Sequence, residues 1–387
     1  MKLSTVSRFG EFFFIVILLI FISVLLSIYR NNTEDSYMNQ AIKTCKSISY
    51  RETEKCWGEA MEKIIKKEGL ESGFKFFRKF YLEDGVGDCH PYAHILGRSA
   101  YNAFIEGRQI VESDGMKYCG YGFWHGFMER YVAVEGMDAD NIKNFCNKFS
   151  PDFINDCFHG VGIGGIGDPP PFDTWGKPQE MAERALKLCD TTAKPGRQLT
   201  ECISGVFHQQ GLFAYRNEYG MVFDKKKPLS LCDPYLNTHY EGGCIWQISS
   251  WLPDAFDRDL SNVYEYVADN YEEEPIHEMI TMSSKVISIY RIQENDYSSF
   301  IIKCKSIPIS YQKDCISGYV YGMFEVGEPE KEYVKAIDFC KSSELSKEDK
   351  GNCVNAIIME SSRYYKSEKK ELVCSVIDRE LNIQCQI

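Results

Sequence analysis

A chain of 387 residues, 44% of them hydrophobic, is long and apolar enough to bury a substantial core, which excludes a disordered segment. Its formal charge of −12 and isoelectric point near 5.2 exclude the basic face on which a nucleic-acid binder depends, because phosphate contacts need Lys and Arg in excess.

The first predicted element is the apolar run FFFIVILLIFISVLLSIY, Phe12 to Tyr29. As a helix rising about 1.5 Å per residue it reaches roughly 27 Å, close to the thickness of a hydrocarbon core. A cleaved signal peptide would carry a shorter apolar core and a small-residue cleavage site; the following RNNTEDSY offers none, so residues 1–30 read as an uncleaved signal anchor, a single transmembrane helix. Lys2 and Arg8 precede the span, while Arg30 beyond it is offset by Glu34 and Asp35. That asymmetry puts the N-terminus in the cytoplasm and the bulk of the chain outside it. Asn31 in NNT is a glycosylation sequon.

Sixteen cysteines agree with an oxidising compartment. Fourteen of them form pairs 11 to 13 positions apart: Cys45/Cys56, Cys146/Cys157, Cys189/Cys202, Cys232/Cys244, Cys304/Cys315, Cys340/Cys353 and Cys374/Cys385. Before the first cysteine of a pair the apolar residues recur at helical spacing, as in Ala182, Ala185, Leu186 and Cys189. Between the two lie breakers such as DTTAKPGRQLTE, and after the second comes an apolar, small-residue segment such as CISGVFHQQG. Each unit therefore reads as helix, loop, helix with one disulfide across it, a staple worth about 3 kcal/mol in the chain-entropy account. The intervals between second cysteines suit two-helix solenoid repeats, and His277 to Ile292 falls where a cysteine-free copy belongs.

Cys89 and Cys119 stand where a second cysteine should be, without a first. They can pair with each other across adjacent repeats, the favoured reading outside the cytosol, or serve as free thiols. Five of the seven histidines follow cysteines of this second kind: His90 and His94 after Cys89, His125 after Cys119, His159 after Cys157 and His208 after Cys202. His125 and His208 are both six residues past their cysteine, where later repeats carry Ser250, Tyr321 and Met359, so the fold does not require histidine there. One reading makes these histidines packing residues on Gly-rich inner helices. The other lets His90, His94, His125 and His159, with His208 ranked behind them, converge on zinc, copper or iron. Glu129 is the candidate base, and Arg98 and Glu106 are candidate supporting groups on the same helices. No H-E-x-x-H and no C-x-x-C occurs, and GVGIGGIGDPPP, Gly160 to Pro171, is expected to be a loop or lid over one end of the array.

The set CHPYAHILGRSAY, CGYGFWHGFMERY and CFHGVGIGG resembles the C-H-x-x-x-H, C-G-x-G-x-x-H-G and C-x-H-G-x-G-H signatures of an extracytoplasmic microbial family without an assigned activity, over about residues 85 to 215. It departs at Ile163, where that pattern has a second histidine. The stapled-hairpin plan is also similar to that of Sel1-like cysteine-rich repeat proteins, with longer cysteine spacing.

The expected architecture is all-α: a transmembrane helix, then disulfide-stapled two-helix repeats forming an α-solenoid, His-bearing over residues 31–253 and His-poor over 254–387. The expected function is a membrane-anchored, extracytoplasmic binding or scaffold protein that takes a protein, peptide or other ligand in the solenoid groove and carries a histidine metal site. The alternative is a metal-dependent enzyme built on the same histidines.

Overall fold

The structure, a computed structural model, describes residues 16–18, 20–22, 37–45, 50–84, 89–291 and 296–385. Most of the apolar run Phe12 to Tyr29 lies outside them, and among the described residues no helix is long and apolar enough to cross a membrane. The described residues contain no strand. In chain order the helices are α1 (37–45), α2 (Tyr50–Glu68), α3 (Leu70–Asp84), α4 (His90–Ile105), α5 (Tyr118–Glu135), α6 (Ala139–Cys146), α7 (Pro151–Ile166), α8 (Pro178–Thr192), α9 (Arg197–Arg216), α10 (Glu241–Ile248), α11 (Leu252–Ala255), α12 (Leu260–Asn270), α13 (Glu273–Arg291), α14 (Tyr297–Ser306), α15 (Ile309–Glu325), α16 (Tyr333–Cys340), α17 (Lys347–Tyr364) and α18 (Ser367–Leu381). The described residues up to Ala60 and those from Met61 onward form two compact units, with α2 running across the boundary. In the first, Cys45 on α1 is bonded to Cys56 on α2.

All seven short-range pairs form disulfides, and Cys89 pairs with Cys119, so no cysteine is free. The helix, loop, helix unit holds for α6/α7, α8/α9, α14/α15 and α16/α17: a short outer helix ends near the first cysteine, and a longer inner helix carries the second about two turns in rather than at its opening. Local signals set these boundaries. Pro151 and Pro178 occupy first turns, where a missing N–H costs nothing, Asp138 caps α6, and Ser346 with Asp349 makes a capping box on α17. The pair α12/α13 is the cysteine-free copy. Two copies depart from the plan: Cys232 lies on a 3₁₀ turn, and Cys385 follows α18 in irregular chain, so its disulfide folds back onto the helix that precedes it.

The inner helices α4, α5, α7, α9, α10, α13, α15 and α17 pack side by side in chain order. Glycines let their backbones touch. A Cβ on Gly126 of α5 would lie 1.9 Å from the His94 carbonyl oxygen of α4, and one on Gly97 of α4 would lie 2.0 Å from that of Phe123. The same reciprocal contact joins α7 to α9, where a Cβ on Gly162 would lie 2.0 Å from the Cys202 oxygen and one on Gly205 2.0 Å from the His159 oxygen. Gly160 to Ile166 is therefore buried helix, and the loop expected over Gly160 to Pro171 begins only at Gly167. Those glycines are spaced for contact with neighbouring backbones, a demand that sequence alone does not distinguish from loop flexibility.

An open solenoid keeps its first and last repeats apart; here α5 meets α15. The Tyr121 hydroxyl donates to the Arg363 carbonyl at 2.9 Å, its ring lies 5.5 Å from that of Tyr364, and Arg78 of α3 pairs with Glu330 at 2.7 Å. These contacts bring the His-poor repeats against the His-bearing ones.

Substituting Gly126→Ala forces a methyl group into backbone that cannot yield and should destabilise the fold by about 2 kcal/mol or more, measured by denaturant unfolding. Gly351→Ala, in open space on α17, should instead stabilise it by up to about 1 kcal/mol.

Candidate metal centre

Cys89 caps α4, Pro91 follows in its first turn, and His90 and His94 stand one turn apart with ring centres 4.8 Å from each other. The start of α5 is unusual. Cys119, Gly120 and Tyr121 run left-handed, with φ of 54°, 64° and 61°. The Cys119 carbonyl then faces His90 Nδ1 at 2.7 Å. Since a carbonyl can only accept, that nitrogen carries a proton and Nε2 is the ring nitrogen left to face the other histidines. The Cys89–Cys119 disulfide, with Cα atoms 5.6 Å apart, ties the residue preceding His90 to the residue whose carbonyl orients it.

His125 Nδ1 faces two other imidazole nitrogens. His125 Nδ1 lies 3.1 Å from His90 Nε2 and 3.1 Å from His94 Nε2. One ring nitrogen holds at most one proton, so His125 Nδ1 cannot make a full two-centre hydrogen bond to both neighbours. Two nitrogens bound to one tetrahedral zinc ion at about 2.0–2.1 Å are roughly 3.3 Å apart, close to the separation found here.

The remaining pair completes a five-imidazole cluster. The His159 ring stacks on that of His125 at 4.7 Å, and the His208 ring is 5.3 Å from it. One nitrogen each from His90, His125 and His208 lies within 4.8 Å of the others. Glu201 Oε2 approaches His159 Nδ1 at 3.7 Å, while His159 Nε2 is buried with no hydrogen-bond partner. Gln247 Nε2 donates to His208 Nδ1 at 3.1 Å, and its oxygen accepts from Ser204 at 3.0 Å. Burial, reinforced by neighbouring imidazoles and, for His94, by Arg98, holds His94, His125 and His208 well below the usual histidine value, so these rings are neutral. His125 and His159 are buried, whereas His90, His94 and His208 remain partly exposed, which leaves the cluster an open side.

All five candidate histidines are thus brought together, including His208, which the sequence ranked last. Ile163, standing where the resembled signature has another histidine, is buried one turn past His159 and adds nothing polar. Glu129 is placed differently from a base on the cluster: it lies one turn beyond His125 and binds Arg98 at 3.3 Å, Arg98 in turn lying one turn beyond His94. Burial raises its pKa and Arg98 opposes the rise. Glu106 pairs with Lys66, away from the histidines.

Several residues in this interior escaped the sequence reading. Glu201 precedes His208 by two helical turns on one face of α9, a signal that the histidine pattern alone obscured. Gln247, Lys285 and Glu325 come from repeats without cluster histidines. Glu325 pairs closely with Lys285 and packs on the left-handed turn, where a Cβ on Gly120 would lie 2.5 Å from its Cγ. Its burial raises the carboxyl pKa, but the ammonium of Lys285 beside it outweighs that and keeps it low. Asp156, one turn before His159, is pushed up to about 7 by burial and by the charge of Glu201. Comparison with known proteins adds no relative: no family model, no curated protein and no solved structure matches the chain.

Three depressed histidines make the metal-free fold sensitive to acid. Above the unfolded value of about 6.5 both states are neutral; below it the unfolded chain takes up protons that the folded rings refuse, so stability falls toward the depressed folded values, by up to about 1.4 kcal/mol per pH unit for each ring. The thermal midpoint of metal-stripped protein should drop below pH 6.5, and less steeply in His125→Gln.

Proposed function

We propose that the chain is an extracytoplasmic helical-repeat protein, tethered by the Phe12 to Tyr29 run with its N-terminus in the cytoplasm, that binds a transition-metal ion through His90, His94 and His125, with His208 or His159 completing the set. The observation that carries this reading is His125 Nδ1 facing ring nitrogens of both His90 and His94 at 3.1 Å, with one nitrogen each from His90, His125 and His208 within 4.8 Å of the others. The partnerless His159 Nε2 supports it. With every cysteine in a disulfide the donors are nitrogen only, a set suited to zinc, copper or iron. Glu201 and the Cys119 carbonyl act as the outer partners that fix which ring nitrogen faces the ion. Eight disulfides support the oxidising compartment. The resemblance to an extracytoplasmic microbial family is consistent with that placement and assigns no activity.

A second reading, metal-dependent catalysis, is favoured by the partial exposure of His90, His94 and His208 and by the Lys285–Glu325 pair in the same polar interior. A metal held by neutral imidazoles with an open side has room for water or substrate, and a carboxylate beside it can take a proton.

Metal analysis of the purified full chain should find about one ion per chain, lost in His125→Ala and kept in His277→Ala, with circular dichroism unchanged. Absence of metal from wild type reconstituted with zinc, copper and iron in turn would remove the proposal. Replacing Cys89 and Cys119 together by Ser should weaken metal binding by about 10- to 100-fold, the usual effect of losing an outer partner. Azide should shift the visible spectrum of the cobalt-substituted protein; an unchanged spectrum would mean a closed coordination sphere and end the catalytic reading.

A further inference from the structure

Away from the histidines, at the C-terminal ends of α5 and α7, lies a cavity of ≈ 830 Å³. Its floor is apolar, formed by Val132, Ile166 and Leu188, and its rim carries Asp168, Arg184 and Lys187. Among the described residues neither of the two cations is engaged in an ion pair, in a chain whose net charge is −12.

The loop that borders this cavity holds aromatic rings in water. Phe172 is 79% and Trp175 40% exposed, yet the loop is firmly tied. Trp175 Nε1 donates to the Pro170 carbonyl at 3.1 Å, the Gly176 amide to the Tyr219 carbonyl at 2.9 Å, and the Tyr219 hydroxyl to Asp168 at 2.5 Å. Ring centres step from Phe172 to Trp175 at 4.9 Å and from Trp175 to Tyr219 at 5.1 Å. Tyr219 anchors the series to buried Phe213 at 4.7 Å, while Phe172 and Trp175 stand in water beyond it, and contiguous exposed aromatics mark a binding surface. The Phe172, Trp175 and Tyr219 rings, tilted 58° and 54° from one to the next, form an aromatic edge beside a cleft that carries one carboxylate and two cations.

We propose that this aromatic edge and cleft bind an acidic polysaccharide. The sugar faces lie on the aromatic rings, hydroxyls donate to Asp168, and carboxylates pair with Arg184 and Lys187. A lipid surface would use the aromatics but has no need of a recessed cleft of ≈ 830 Å³ beside them. This surface is independent of the metal centre.

The test is affinity electrophoresis of the purified full chain in gels containing polygalacturonate, hyaluronate or alginate, with hydroxyethylcellulose as the neutral polymer and phosphatidylglycerol vesicles in a parallel flotation assay. Retardation is expected in at least one acidic gel and not in the neutral one. It should weaken about tenfold in the Phe172→Ala/Trp175→Ala variant, whose substitutions lie on the surface, and be lost in Arg184→Gln/Lys187→Gln. Unchanged thermal midpoints in both variants exclude misfolding. No retardation in any acidic gel, equal retardation in the neutral gel, or flotation with vesicles that depends on Phe172 and Trp175 would each overturn the proposal.

Discussion

The contact on which the rest depends is between glycine Cα atoms and the carbonyl oxygens of neighbouring helices. Two of those oxygens belong to His94 and His159 themselves, lying against Gly126 and Gly205. Helices that approach this closely carry their side chains with them, so rings projecting from α4, α5, α7 and α9 meet at centre distances of 4.7 to 6.3 Å. With larger residues at these positions the helices would stand farther apart and the nitrogens would lose their common point.

Holding several neutral imidazoles together in a half-buried place has a cost, because each partnerless nitrogen loses its water. The protein offsets part of it with Cys119, Glu201 and Gln247, which each engage one ring nitrogen. The disulfides contribute from the other side by restricting the unfolded chain. The bridge between Cys89 and Cys119 differs from the others in spanning 30 residues rather than 11 to 13. It fastens the left-handed turn on which the orientation of His90 rests, so in this repeat the staple has become part of the site.

Closure of the array changes what the His-poor half is for. Sequence marks residues 254–387 only as His-poor repeats of the same plan. Because α5 meets α15, Lys285 and Glu325 instead enter the polar interior beside His90 and His208. The left-handed turn at Gly120 makes room for Glu325, a dependence between residues about two hundred positions apart that no local pattern records.

Sequence by itself determined the all-helical class, the seven short-range disulfides, the favoured eighth, the cysteine-free copy at α13 and the five histidines, because each rests on short spacings: helical periodicity, loop length between cysteines and residue type beside them. It misread the glycines of α7 as a loop, since a residue without a side chain signals flexibility and close packing alike. Only tertiary structure decided that His208 belongs with the other four, that Glu129 answers to Arg98, and that Glu201, Gln247, Lys285 and Glu325 share the interior. Those facts depend on how close helices lie and on where the array closes, and both are set by backbone contacts between segments far apart in the chain.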